Sequence, residues 1–128
     1  MRVLLDTCTF LWLITGSEKL SEQARRAFSD PANEVYLSAV SPWELLVKQG
    51  LGKFHFPLPV EEIVGRFRES HRIAPLPLDE ASVFHLARLP PLHRDPFDRM
   101  LVCQAIQHGL TLLTPDPLIR QYPISVLW

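Results

Sequence analysis

Five carboxylates in this chain sit where chemistry could use them. Asp6 ends the apolar run Val3-Leu4-Leu5, and Asp116 follows Leu112-Leu113 by way of Thr114-Pro115. Glu44 falls three residues after Ser41 at the start of one helical pattern, and Asp95 and Asp98 flank Pro96-Phe97 at the start of another. Asp98 is the most informative, because Leu101, Val102 and Ala105 lie three, four and seven residues on, the buried stripe of a helix. Its carboxylate is therefore expected to point inward. Buried carboxylates gathered together raise one another's pKa unless a cation neutralises them. A hard ion such as Mg²⁺ prefers six oxygen ligands at roughly 2.0–2.1 Å and commonly keeps waters among them. Mn²⁺ suits the same oxygens. Such an ion acidifies a water and stabilises charge on a phosphodiester, chemistry that needs neither a serine nor a histidine nucleophile. That fits a chain with no GxGxxG, GxxxxGK(S/T), HExxH or GxSxG motif.

Each acid also has a plain structural reading. Asp6 and Asp116 suit turns after strands, and Glu44 is placed to pair with Lys48 across one helical turn, which is worth roughly 0.3–0.5 kcal/mol. Asp95 is an apt N-cap before Pro96, with Arg99 four residues on. His93 and Arg94, just before it, are candidates for contact with a substrate phosphate, as are Lys48 and Arg99. Lys53, Arg66, Arg68 and Arg72 could extend a basic rim. Trp12 and Trp43 read as core anchors rather than stacking platforms.

Positioning these residues requires strands alternating with helices. Val3–Leu5 reads as a strand, with Thr7 capping a helix through Phe10–Ile14. Ser21 opens a second helix to Phe28, stopped by Asp30-Pro31, and Val35–Ser38 is a second strand. Ser41-Pro42 starts a helix that ends near Gly50, and residues 50–59 read as a loop or short hairpin before a helix from about Val60 to Ser70. Ile73–Leu78 is a short strand, Asp79 caps a helix over Glu80–Arg88, and Asp95-Pro96 opens the most apolar helix, which ends at Gly109. Thr111–Thr114 and Ile124–Leu127 complete the strands. This alternation favours an α/β sheet, mostly parallel, with helices on both faces. Functional groups on such a sheet gather beyond the carboxyl ends of the strands, where all five acids fall.

The 128 residues, 47% of them hydrophobic, suit one domain, 1–128, around a continuous core. No run of about 20 apolar residues suggests a membrane span and no signal-peptide pattern opens the chain, so an intracellular, soluble protein is expected. Cys8 and Cys103 form no CxxC or Cys/His cluster and are expected to be small core residues. The net charge of −1 supplies no overall pull toward nucleic acid, so any basic surface must be local.

Taken together, the motifs resemble the PIN domain family, and within it the VapC-type toxin ribonucleases of prokaryotic toxin–antitoxin systems. The likeness lies in Leu-Leu-Asp6-Thr7-Cys-Thr-Phe-Leu-Trp12, in Ser41-Pro-Trp43-Glu44-Leu-Leu-Val-Lys48 followed by Gly52-Lys53, in His93-Arg-Asp95-Pro-Phe-Asp98-Arg99-Met-Leu-Val-Cys-Gln-Ala105, and in Leu-Leu-Thr114-Pro-Asp116. The third motif is long and specific, and the four in order span nearly the whole chain. The resemblance implies a three-layer α/β/α sandwich with a mainly parallel five-stranded sheet. It implies a metal-binding quartet of Asp6, Glu44, Asp98 and Asp116, with Asp95 an additional acid and Thr7 a hydroxyl near the site. It further implies Mg²⁺- or Mn²⁺-dependent endonuclease activity on RNA in the prokaryotic cytoplasm, homodimerisation, and inhibition by a cognate antitoxin. Cys8 and Pro115 depart from the family's usual pattern beside the first and last acids.

Other functions fit less well. A phospho-receiver domain needs adjacent acids after its first strand, which Asp6 lacks, and a DxD phosphatase is incompatible with Asp6-Thr7-Cys8. A PIN-like binding module, or a nuclease of RNA processing rather than toxicity, are the alternatives that remain.

Overall fold

The computed structural model describes all 128 residues, Met1–Trp128. In chain order the elements are β1 (Arg2–Leu5), α1 (Thr7–Thr15), α2 (Glu22–Ser29), β2 (Glu34–Ser38), α3 (Val40–Gly50), α4 (Val60–His71), β3 (Ala74–Leu76), α5 (Glu80–Phe84), a 3-10 turn at His85–Arg88, α6 (Pro96–His108), β4 (Thr111–Leu113), a 3-10 turn at Ile119–Gln121, and β5 (Val126–Leu127). The strands form one sheet in the order β3-β2-β1-β4-β5. All four pairings are parallel, with Leu5 opposite both Leu37 and Leu113.

β1 lies at the centre of the sheet, which explains its unbroken apolar run: a strand covered on both faces has no solvent side to fill with polar residues. Val3 and Leu5 point into a core with α1, α2 and α4, built on Phe10, Ala24, Ile63 and Val64. Leu4 points the opposite way, into a second core where α6 contributes Met100, Leu101, Val102, Cys103 and Ala105. The result is the expected three-layer sandwich, with helices on both faces of a parallel sheet. Burying one side chain such as Leu101 contributes roughly 1.5–3 kcal/mol. No helix is long and apolar enough to cross a membrane.

Several boundaries follow the local chemistry. Ser21 Oγ accepts from the Ala24 N–H and caps α2. Asp95 caps α6 with Pro96 in its first turn, and Gly109 closes that helix at φ 64°, a left-handed conformation in which a side chain would be strained. Others differ from the sequence reading. α3 begins at Val40 rather than after Ser41, because Ser38 Oγ accepts the Val40 N–H and Ser41 turns inward. The 80–88 segment breaks after Phe84 into a 3-10 turn, and residues 51–59 form turns and loop without a hairpin. Asp79 occupies the predicted cap position, but its carboxylate accepts from the Ser82 hydroxyl and His108 Nε2 instead of a backbone N–H.

A buried amide fixes α6 against the sheet. Gln104 is fully buried, its Oε1 accepting from Ser38 Oγ at the end of β2 and its Nε2 donating to the Pro77 carbonyl. This tie sets where the first turn of α6 meets the carboxyl ends of the strands.

Candidate metal centre

Parallel strands deliver their carboxyl ends to one edge of a sheet, and here that edge opens into a cavity of about 350 Å³. Asp6, Thr7, Glu44, Asp95, Asp98 and Asp116 all line it, with Lys48 and Lys53 beside them. Cys8, Leu11, Trp12, Leu45, Phe54 and Pro115 complete the wall.

Asp6 leaves β1 and is itself the N-cap of α1, the role expected of Thr7. Its Oδ1 accepts from the Thr9 N–H at 2.7 Å and its Oδ2 from the Thr114 hydroxyl. Thr7 is thereby freed to face Glu44: its hydroxyl lies 2.7 Å from Glu44 Oε1 and 2.9 Å from Ser41 Oγ. With one hydrogen to give, it donates to the carboxylate and accepts from Ser41. Ser41 is thus a support for Thr7, not a helix cap.

Glu44 does pair with Lys48, as its helical spacing allowed, but this is no exposed surface pair. The Glu44 side chain is 5% exposed and faces the cavity, while Lys48, at 42%, reaches in from the rim. Burial acts against the Lys48 ammonium, yet Glu44, Asp95 and Asp98 outweigh it and raise its pKa.

Asp98 points inward, as the stripe on its helix requires. Its carboxyl is pushed up to about 7, first by burial and then by Asp95, Glu44 and Asp6, with His93 opposing. Asp6 is also raised, chiefly by burial, against the hydrogen bonds from Thr114 and Thr9. Asp95 Oδ1 accepts from the Phe97 N–H at 2.8 Å, so the cap reading holds while the residue also lines the cavity. Asp116 is held by a turn in which its Oδ1 accepts from the Leu118 N–H, and its own N–H donates to Thr114 Oγ1. Pro115 therefore does not take the acid away from the cavity.

The profile of the PIN domain family matches residues 3–124. The chain belongs to the PIN domain family. Over 97% of its length this PIN domain is 29% identical to Ribonuclease VapC22 of Mycobacterium tuberculosis, covering 97% of that protein. It resembles VapBC2 from Rickettsia felis, solved bound to a DNA fragment from its promoter, with a TM-score of 0.73 at 17% identity over 98% of this chain and 97% of that one. It also resembles DNA-bound VapBC from Salmonella typhimurium, with a TM-score of 0.66 at 20% identity over 98% and 96% of the two chains.

Other residues of the PIN domain lie elsewhere than the sequence suggested. Arg99, a candidate for phosphate contact and for pairing with Asp95, instead turns its Nη1 to the carbonyls of Pro90 and His93 and to the Tyr122 hydroxyl. It serves the loop that precedes α6. Arg94 is exposed, outside the cavity wall. Arg66 pairs with Glu62, and Arg68 donates to the Leu37 carbonyl, so only Lys48 and Lys53 of the expected basic rim reach the cavity.

Cys8 is not a core residue but part of the cavity wall, where burial and then Asp6 and Asp98 push its thiol up to about 12. Trp43 is 52% exposed, edge-on to Phe97, and Trp12 lines the cavity while packing on Trp128. His93 was a candidate for substrate contact. Its Nε2 lies instead 2.8 Å from Asp116 Oδ2 and 3.2 Å from Asp98 Oδ2. Thr114 and Thr9 were not singled out, although Thr114 stands two residues before an acid placed much like Asp6.

Proposed function

We propose that this PIN domain is a divalent-metal-dependent endoribonuclease and the toxin of a toxin–antitoxin pair, working in the prokaryotic cytoplasm. One observation carries the reading: four elements distant in sequence bring Asp6, Glu44, Asp98 and Asp116, with Asp95, to one cavity. The similarity to a ribonuclease, and to chains solved as VapBC pairs, supports both the activity and an antitoxin partner.

The donor set suits Mg²⁺ or Mn²⁺. Every candidate ligand in the quartet offers oxygen, and Cys8, although it lines the same cavity, has its thiol pushed up to about 12 by burial and the neighbouring acids, which disfavours the thiolate a softer ion would need. The carboxylates keep capacity for an ion: a carboxylate has about four lone-pair sites, and Asp6 commits two of them, to Thr9 and Thr114. The raised pKa of Asp98 is what an acidic pocket shows before its charge is balanced. When bound, the ion supplies Lewis acidity toward water and toward the oxygens of a phosphodiester.

The protein's own groups do the remaining work. Thr114, Thr9 and Thr7 hold Asp6 and Glu44 in place before substrate arrives, so ordering them is not a cost of the reaction. Lys48 balances Glu44, leaving Lys53 as the cation on the rim for the RNA backbone. Leu11, Trp12 and Phe54 supply apolar surface to the wall of the same cavity.

The direct test is cleavage of a mixed RNA pool by purified protein, with Mn²⁺ or Mg²⁺, with EDTA, and with Asp98→Asn. The reading requires fragments that vanish on chelation and in the variant. Folded, metal-supplied protein that leaves the whole pool intact would overturn it.

A further inference from the structure

His93 brings an imidazole nitrogen against two of the acids, and two readings compete for it. His93 Nε2, a carboxylate oxygen of Asp98 and one of Asp116 lie within 4.8 Å of one another, close enough for the imidazole to serve as a third metal ligand. The other side of the ring decides between them. The Asp95 N–H donates to His93 Nδ1 at 3.0 Å, so Nδ1 carries its lone pair there and the ring hydrogen sits on Nε2. A neutral imidazole that ligates through Nε2 must carry its hydrogen on Nδ1, which this contact forbids.

The hydrogen on Nε2 has a recipient. It is donated to Asp116 Oδ2 at 2.8 Å, while Asp98 Oδ2 stands 3.2 Å from the same nitrogen. The loop before α6 is pinned so as to hold this geometry. The His93 N–H donates to the hydroxyl of Tyr122, itself buried, and Arg99 Nη1 reaches the His93 carbonyl and that same hydroxyl. The ring is thus anchored through its backbone on both sides and through Nδ1.

We propose that His93 is a positioning residue, locked by the Asp95 N–H with its hydrogen on Nε2, which orients Asp116 beside Asp98 and does not itself bind the metal. Asp116 lies on a loop beyond a three-residue strand and has only the Leu118 N–H to orient its other oxygen. A fixed donor on Oδ2 removes its remaining freedom and leaves its other lone pairs to face the ion. Partners of this kind typically change metal affinity by about 10–100-fold.

The inference rests on the metal-dependent reading above, and its test separates the two. Nitrogen NMR of the wild-type ring is expected to show a bare Nδ1 and a protonated Nε2, in metal-free and Mg²⁺-saturated protein alike. Mn²⁺ titration followed by electron paramagnetic resonance is expected to show about 10–100-fold weaker binding in His93→Ala. His93→Gln, whose amide nitrogen falls near the place of Nε2, should recover most of the loss. His93→Asn keeps only the Nδ1 side and should not. Imidazole nitrogen coupling to bound Mn²⁺, a proton on Nδ1, rescue by Asn rather than Gln, or equal binding by wild type and His93→Ala would each overturn the proposal. If the alanine variant fails to fold, the wild-type nitrogen shifts still decide the matter. Wild-type protein that binds no Mn²⁺ at all overturns the metal-dependent reading itself, a different failure from equal binding by the two proteins.

Discussion

Thr114 donates its hydroxyl hydrogen to Oδ2 of Asp6, joining residues 108 positions apart in the chain. The Thr114 hydroxyl oxygen in turn accepts the N–H of Asp116, so one small side chain between the last two strands holds the first and last acids of the cavity together. Thr114→Val keeps the shape and removes both hydrogen-bonding roles. Leaving the buried Asp6 short of a donor should destabilise the protein by about 1–3 kcal/mol, read by denaturant unfolding, with Thr114→Ser close to wild type. A valine variant as stable as the parent would show that the contact contributes nothing.

Asp98 predicts a pH dependence that only a metal-free sample displays. Its folded pKa, about 7, lies above the ordinary 3.8 because burial and the neighbouring acids favour the protonated form. Between those values the folded state holds a proton that the unfolded chain has released, so stability from this group is full below 3.8 and is lost as pH rises through about 7. In EDTA, the melting temperature of the wild type should therefore fall relative to Asp98→Asn across that interval, and Mg²⁺ should restore it. Parallel curves for the two proteins would contradict this picture of the pocket.

Asp79, at the opposite end of the domain's electrostatics, predicts the reverse sign. The Ser82 hydroxyl and then His108 hold its carboxyl down to about 2. Its contribution is present above 3.8 and is lost as pH falls toward 2. Asp79→Asn should lower stability at neutral pH by an amount that shrinks to nothing in acid. A gap that stays constant with pH would assign the loss to packing.

Lys53 lines the cavity without an ion pair, whereas Lys48 is held by Glu44. With catalysis blocked by Asp98→Asn, adding Lys53→Ala should weaken RNA binding and reduce the slope of log affinity against log salt by about 0.7, the share of one single-strand phosphate contact. An unchanged slope would remove Lys53 from the RNA path. Arg99→Ala should behave otherwise, lowering stability through its loop contacts while that slope stays put.

Much of the fold was legible because local rules and the final packing agree. β1 reads as a buried strand from Val3-Leu4-Leu5, α2 from Ser21 and its helical spacing, and α6 from Asp95-Pro96 at one end and Gly109 at the other. The convergence of the five acids on one cavity was legible for the same reason: four stand at strand ends or helix starts, and Glu44 stands in the first turns of α3. What could not be read depended on distant partners. Asp6 rather than Thr7 caps α1 because Glu44 and Ser41, from another element, claim the threonine hydroxyl. Trp43 and Cys8 have the composition of core residues, and only the placement of α3 and α6 shows that one is half exposed and the other beside the acids. The turn of His93 toward Asp116 depends on Tyr122, far along the chain.

The central strand carries one further consequence. β1 is made well before its neighbour on one side, β4, and the hydroxyl that holds Asp6, which come from residues 108 or more positions later. A ribosome adds about 5–20 residues per second, so for several seconds the growing chain has a first acid but no assembled site. A chain that stops before β4 lacks Asp116 and the strand and hydroxyl that flank Asp6, so under the proposed function an unfinished copy would not yet cut the message from which it is being translated. The strand order makes the assembled cavity a property of a chain that has passed β4.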